Sequence, residues 1–187
     1  ILFEMSYLPS LSIVIPCHNE EDVLEISYLE IKALIDSWNN QFISRYQIVM
    51  VNNGSTDSTL EKMLALKKID NNIKIVDLRS NFGYQGSITA GLFNADNDMV
   101  VSIDADLQDD PSKIEEMILQ YKEGFDMVLG IRNSRNTDSF FKRFTAILFY
   151  RFLILIGIKT VYNHGDFRLL DKSLVKDLSN YPERNIY

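Results

Sequence analysis

This chain has a single cysteine, no glycine-rich phosphate loop and no long apolar run, and each absence excludes a class of protein. Cys17 is the one cysteine in 187 residues, so no disulfide can form within them and no second thiol is at hand for a zinc site. A reducing compartment is the expected setting. With eight glycines, neither Gly-x-Gly-x-x-Gly nor Gly-x-x-x-x-Gly-Lys-[Ser/Thr] occurs, which counts against a dinucleotide dehydrogenase and a P-loop enzyme. No stretch reaches the 18 or so uninterrupted apolar residues of a membrane span; Phe144 to Ile158 comes nearest and is broken by Arg151. The stretch Ile1 to Pro9 lacks the charged start and apolar core of a signal peptide. Surplus positive charge is missing too: the net charge is −7, unlike a general nucleic-acid binder. That average hides a basic island. Between Ile131 and Lys159 stand Arg132, Arg135, Lys142, Arg143, Arg151 and Lys159 against Asp138 alone, a local +5 that leaves −12 for the rest. Such an island suggests a local anionic partner, a phosphate group or an anionic membrane surface.

What is present is the balance of one globular domain, 46% apolar and 24% charged. Apolar runs alternate with helical stripes. Leu11 to Ile15 reads as a strand ended by Pro16, and Leu24, Tyr28, Ile31 and Ile35 as the buried stripe of the next helix. Tyr46 to Val51 is a second strand, with Leu60, Met63 and Leu64 marking its helix. Ile73 to Leu78 is a third, followed by a helix to about Asn94. Met99 to Ile103 is a fourth, then a helix faced by Ile114, Met117, Ile118 and Tyr121 and stopped by Gly124. Asp126 to Leu129 makes a fifth strand ending at Gly130. After it the alternation lapses into a polar loop and the apolar stretch Phe140 to Ile158, either a buried helix or one lying on a membrane. Asn163 to Leu170 reads as a turn entering a short strand, and Lys172 to Leu178 as a last helix. This order means an α/β fold with a mostly parallel central sheet flanked by helices.

The polar clusters all follow strands: His18 to Glu20, Asn52 to Asp57, Arg79 to Gly83 and Asp104 to Gln108. Open α/β sheets bind ligands at that end, so folding should gather them. In an extended chain Asp104, Asp106 and Gln108 project to one side, and two anions that close call for a cation between them, with oxygen ligands that suit Mg²⁺ or Mn²⁺. Asp109 and Asp110 fit a plainer role, capping a helix with Pro111 at its first position. Other residues carry plain alternatives as well. Asn53-Gly54 fits simple turn chemistry, His18 a hydrogen-bonded loop residue, Asp166 an ion pair with Arg168, and Arg132 and Arg135 a solvated loop face.

Four motifs in order, Val14-Ile15-Pro16-Cys17-His18-Asn19-Glu20, Val51-Asn52-Asn53-Gly54-Ser55-Thr56-Asp57, Asp104-Ala105-Asp106-Leu107-Gln108-Asp109-Asp110-Pro111 and Gly165-Asp166-Phe167-Arg168-Leu169, resemble the family 2 glycosyltransferases of GT-A fold. Within them the chain is most similar to the polyprenyl-phosphate hexose transferases, the group of dolichol-phosphate mannose synthase and the bactoprenol glucosyltransferases. The resemblance runs from about Leu11 to the C-terminus. It implies that Pro16, His18 and Glu20 line a nucleotide pocket, with Asn53 and Asp57 near the base and the following turn. It implies that Asp104 lies near ribose and metal, and that Asp106 with Gln108 holds Mg²⁺ or Mn²⁺ on the donor diphosphate. Arg132, Arg135 and Arg143 would hold an acceptor phosphate, and Asp166 would sit near the reacting carbon, as a base or as an orienting group. The family usually has tyrosine at His18 and aspartate at Asn53; asparagine both donates and accepts where aspartate only accepts, which bears on base preference. Members usually continue into amphipathic and membrane-spanning helices, so the expected unit is a single GT-A catalytic domain, residues 1–187, without them.

The expected activity is inverting transfer of a hexose, glucose first, from a nucleotide sugar (UDP before GDP) to a polyprenyl phosphate. Its place would be the cytoplasmic face of the cell membrane, with a membrane surface as partner, no nucleic acid, and a homo-oligomer left open. The rivals are a non-catalytic nucleotide-sugar-binding or membrane-associating module, and an Asp-x-Asp phosphatase, although phosphatases of that kind carry the pair after the first strand.

Overall fold

The computed structural model describes residues 7–38, 41–131 and 164–181. The basic loop with Arg132, Arg135 and Arg143 and the apolar stretch Phe140 to Ile158 lie outside the described residues. Runs of β-branched residues become strands and stripes of period 3.6 become helices, in the order β1 (Leu11–Cys17), α1 (Leu24–Ser37), β2 (Tyr46–Asn52), α2 (Thr59–Ile69), β3 (Ile73–Asp77), α3 (Gly83–Asn94), β4 (Met99–Ser102), α4 (Lys113–Lys122), β5 (Met127–Ile131), β6 (His164–Asp171) and α5 (Lys172–Ser179). The described strands form one sheet of order β3-β2-β1-β4-β6-β5. β1 to β4 are parallel, and β6 runs antiparallel to both β4 and β5.

Strand alternation divides the core in two. Leu11, Ile13, Ile15, Ile48, Met50, Met99 and Val101 face one side, against Tyr28 and Ile31 of α1, Met63 of α2 and Met117 of α4. Val14, Val49, Val51 and Val100 face the other, against Ile88 and Leu92 of α3 and Val175 of α5. Both faces are therefore covered, as parallel strands require. The chain winds outward from β1 to β3 with α1 and α2 on one face, then α3 carries it back across the other face to β4. The reversal puts a topological switch point between β1 and β4, where strand ends part and a ligand can enter.

Four local expectations change. Pro16 does not end β1, because Pro16 and Cys17 still pair with Val51 and Asn52. Val14 O accepts from Ile103 N–H on the β4 side, and Pro16 shares that side two residues on, where β4 pairing has already stopped; its missing N–H leaves nothing unmet there. In α2 the buried stripe is Met63 and Leu66, while Leu64 faces outward. Gly130 does not stop β5. It marks a register irregularity between Leu129 and Ile131, where a Cβ would come within 2.8 Å of the Phe167 ring. Last, α4 begins at Lys113 rather than Pro111, although the Asp110 carboxylate does accept from Ser112 N–H at 2.9 Å. No helix among the described residues is long and apolar enough to cross a membrane.

Candidate functional site

At the switch point lies a cleft of about 360 Å³, lined by the end of β1, the turn after β2, the first turn of α3 and the turn after β4. Pro16, His18, Glu20, Asn53, Asp104 and Asp106 all reach it. Six of the residues singled out from sequence thus converge from three separate stretches of chain.

The β1 and β2 turns are laced together. His18 Nδ1 lies 3.0 Å from Asn53 O, a bond that needs the proton on Nδ1. Asn19, at φ +58, accepts from Thr56 N–H through Oδ1 at 2.8 Å. Glu20 N–H donates to Thr59 Oγ1 at 2.8 Å, and Glu21 accepts from Ser58 N–H at 2.9 Å. Asp57 belongs to this brace. Its carboxylate accepts from the Thr59 hydroxyl and N–H and from Glu21 N–H, and although burial opposes ionisation these bonds hold it below the usual carboxylate range. Asp57 therefore does not line the cleft; it fixes the loops that do. Cys17 points inward with its thiol pushed up by burial, so it is a packing residue.

The β4 side departs from the extended row. β4 ends at Ser102, the chain turns through Ala105 and Asp106, and Leu107 adopts φ +53. Asp106 Oδ1 captures Gln108 N–H at 3.1 Å, a local bond that competes with extended backbone. As a result Asp104 and Asp106 share the first cleft. Gln108 instead lines a second hollow with Asp109, Asp110, Lys113 and Phe167. Asp166 stands close by on β6. It is paired with Arg168, and its carbonyl accepts from the Ser102 hydroxyl. The ion-pair alternative for Asp166 is thus real in the structure.

The cleft is electrostatically loaded. Burial, then the charges of Asp106, Asp109 and Asp166, push the Asp104 carboxyl up, against a hydrogen bond from Tyr84 that pulls it down. Burial pushes Glu20 up as well, followed by Asp106, Asp104 and Asp57. Carboxylates crowded in a cleft, with Glu20 and Asp104 raised by burial and by neighbouring anions, are a donor set that fits a divalent cation. Among the described residues no three His, Cys, Asp or Glu side chains form a complete cage. A cation here would draw the rest of its shell from a ligand, the usual arrangement for Mg²⁺ beside phosphates.

The stretch Arg79 to Gly83 reaches the cleft through Asn81 and Gly83, as its place after β3 led one to expect, but Tyr84 and Ser87 on the same wall were not singled out from sequence; the Tyr84 hydroxyl donates to Asp104 Oδ1 at 2.5 Å. The signal was the polar stretch Arg79 to Gly83 after β3, which stopped one residue short of Tyr84.

The chain is 42% identical over 184 residues to the uncharacterized glycosyltransferase YkoT of Bacillus subtilis, covering 96% of this chain and 54% of that protein. It is 36% identical over 180 residues to the bactoprenol glucosyl transferase of Shigella phage SfV, covering 95% and 57%. The chain therefore spans about half the length of the curated relatives it matches. Among solved structures, the mannosyltransferase PcManGT from Pyrobaculum calidifontis in complex with GDP-Man and Mn²⁺ superposes with TM-score 0.66 at 17% identity, over 95% of this chain and 48% of that one. Glucosyl-3-phosphoglycerate synthase from Mycobacterium tuberculosis in complex with UDP gives 0.57 at 20%, over 89% and 58%. These likenesses identify the fold as GT-A. The sequence profile of Glycosyl transferase family 2 matches residues 12–179, and the chain belongs to that family.

Proposed function

We propose that this chain is the donor-binding, catalytic part of a divalent-metal-dependent inverting hexosyltransferase, which moves glucose from UDP-glucose to a polyprenyl phosphate at the cytoplasmic face of a membrane. The observation that carries this reading is the meeting of Asp104 and Asp106 with Pro16, His18, Glu20 and Asn53 in one cleft at the β1/β4 switch point. The relatives named bactoprenol glucosyl transferase support the sugar and the acceptor.

In this reading the nucleoside lies toward His18 and Asn53 and the diphosphate toward Asp106. A Mg²⁺ or Mn²⁺ held by Asp106 and Asp104 would supply Lewis-acid stabilisation of the leaving diphosphate. Gln108, expected as a ligand, reaches the metal only if its side chain leaves the second hollow. A phosphate monoester is already largely ionised near neutrality, its second pKa being about 6, so the acceptor needs placement more than a base. Arg132, Arg135 and Arg143 are the residues for that placement. Asp166, engaged by Arg168, suits orienting better than proton abstraction. The phosphatase alternative has less support, since the Asp-x-Asp pair follows β4 and the end of β1 offers Pro16-Cys17-His18 instead.

Hexose transfer from UDP-glucose to a polyprenyl phosphate tests the proposal. Asp106→Ala is expected to lower the rate by at least about 100-fold, the usual scale for losing a group that stabilises developing charge. Transfer unaffected by that substitution, or by a chelator, would overturn it.

A further inference from the structure

The α3 wall of the cleft is held in place from the neighbouring turn. Gly54 sits at φ +65, and a Cβ there would come within 2.5 Å of the Ser80 carbonyl carbon and 2.6 Å of Asn81 N, so the turn after β2 lies directly on the turn after β3. Beside that contact the buried Asn53 side chain reaches into the same turn. Its Nδ2 donates to Gly83 O at 3.1 Å and to Asn81 Oδ1 at 3.2 Å, and its Oδ1 accepts from Phe82 N–H at 2.9 Å. Those partners fix the amide orientation, because a reversed amide would set NH₂ against Phe82 N–H and oxygen against two acceptors. Asn81 Oδ1 also accepts from Gly83 N–H at 2.8 Å, closing the turn on which α3 starts. Tyr84, the next residue, then spans the cleft to Asp104.

We propose that Asn53 and Tyr84 are paired positioning residues for the donor: the Asn53 amide fixes the first turn of α3, and through it Tyr84 holds Asp104 in the orientation that a nucleoside diphosphate meets. The inference rests on the cleft being the donor site. It assigns the Asn53 side chain to the α3 turn rather than to the nucleobase. A carboxylate at this position has no hydrogen to give, so it would face Gly83 O and Asn81 Oδ1 as an anion against two acceptors. Asn53→Asp, nearly the same in shape and the residue the family resemblance leads one to expect, is therefore predicted to impair this chain.

The experiment is calorimetric titration of UDP in the presence of Mn²⁺ into the whole chain, for wild type, Asn53→Asp, Tyr84→Phe and the double variant. Tyr46→Phe serves as control, since its hydroxyl bonds Asp70 at the opposite end of the sheet. Each single substitution is expected to weaken metal-dependent UDP binding about tenfold, the scale for losing an outer partner of a metal site. The double variant is expected to be no weaker than Asn53→Asp alone, because Tyr84 has already lost its seat there. Wild-type affinity in Asn53→Asp, or losses that multiply in the double variant, would overturn the pairing. Should wild type bind no UDP with Mn²⁺, the donor-site reading fails. Hydrogen exchange then judges the clamp alone: faster exchange at Phe82 and Gly83 N–H in Asn53→Asp supports it, and unchanged exchange overturns it.

Discussion

Glu20 and Asp104 show how single residues are set against the resting fold. Both carboxyls are raised, first by burial and then by neighbouring anions. A carboxyl raised in the folded state binds more protons there than in the unfolded chain, so its contribution to stability falls as pH rises from the unfolded value near 4 through the raised folded value. The braced carboxylates Asp57, Asp98 and Asp171 are lowered and act with the opposite sign, so the test must be a difference between variants. Glu20→Gln is expected to gain stability over metal-free wild type as pH is taken upward from about 4 to 7. Chemical denaturation at several pH values measures that gain, and a constant difference across the range would contradict the assignment. Buried groups held in an unfavourable state are a common mark of a site shaped for a ligand.

At the scale of elements, α3 is the piece on which the site depends most. Gly91 lets it approach β1 and β2, since a Cβ there would fall 2.2 Å from Val14 Cγ1 and 3.0 Å from Val51 Cγ2. Val14 is fully buried in a central strand and has little room to yield. Gly91→Ala is expected to cost about 1 to 3 kcal/mol by overpacking. Urea denaturation reads that cost, and a neutral or stabilising result would show that the helix shifts freely. The α3 wall was also the part of the site least legible in the sequence. Its place in the alternation of strands and helices located the helix and its end at Asn94, because strand runs are local properties of the chain. Tyr84 carried no such mark; its role depends on a turn held by Asn53 from another strand. Leu107 misled for a related reason, since a leucine gives no warning of positive φ and the extended row through Gln108 breaks there. By contrast, Pro16, His18, Glu20, Asn53, Asp104 and Asp106 were legible because each directly follows a strand run, and parallel strands deliver their ends to one rim.

For the whole molecule, the strand order 3-2-1-4-6-5 explains why so much of the chain serves one rim. Reversal at β1 opens the cleft, and antiparallel β6 brings Asp166 and Arg168 beside β4 from far along the sequence. The acidic cleft contrasts with the stretch of sequence from Ile131 to Lys159, which carries a local +5 in a chain of net charge −7. On the proposed function a divalent cation on Asp104 and Asp106 joins a nucleotide sugar to this cleft. The most direct test is thermal unfolding of wild type and Asp106→Ala, each with Mn²⁺ alone, UDP-glucose alone and both together. For wild type the pair of ligands near 100 times Kd should add about 2.7 kcal/mol, roughly 5 to 10 °C in Tm, with little shift from either alone and almost none in Asp106→Ala. An equal shift in Asp106→Ala, or no shift in wild type, would rule out a donor held through a cation on Asp106.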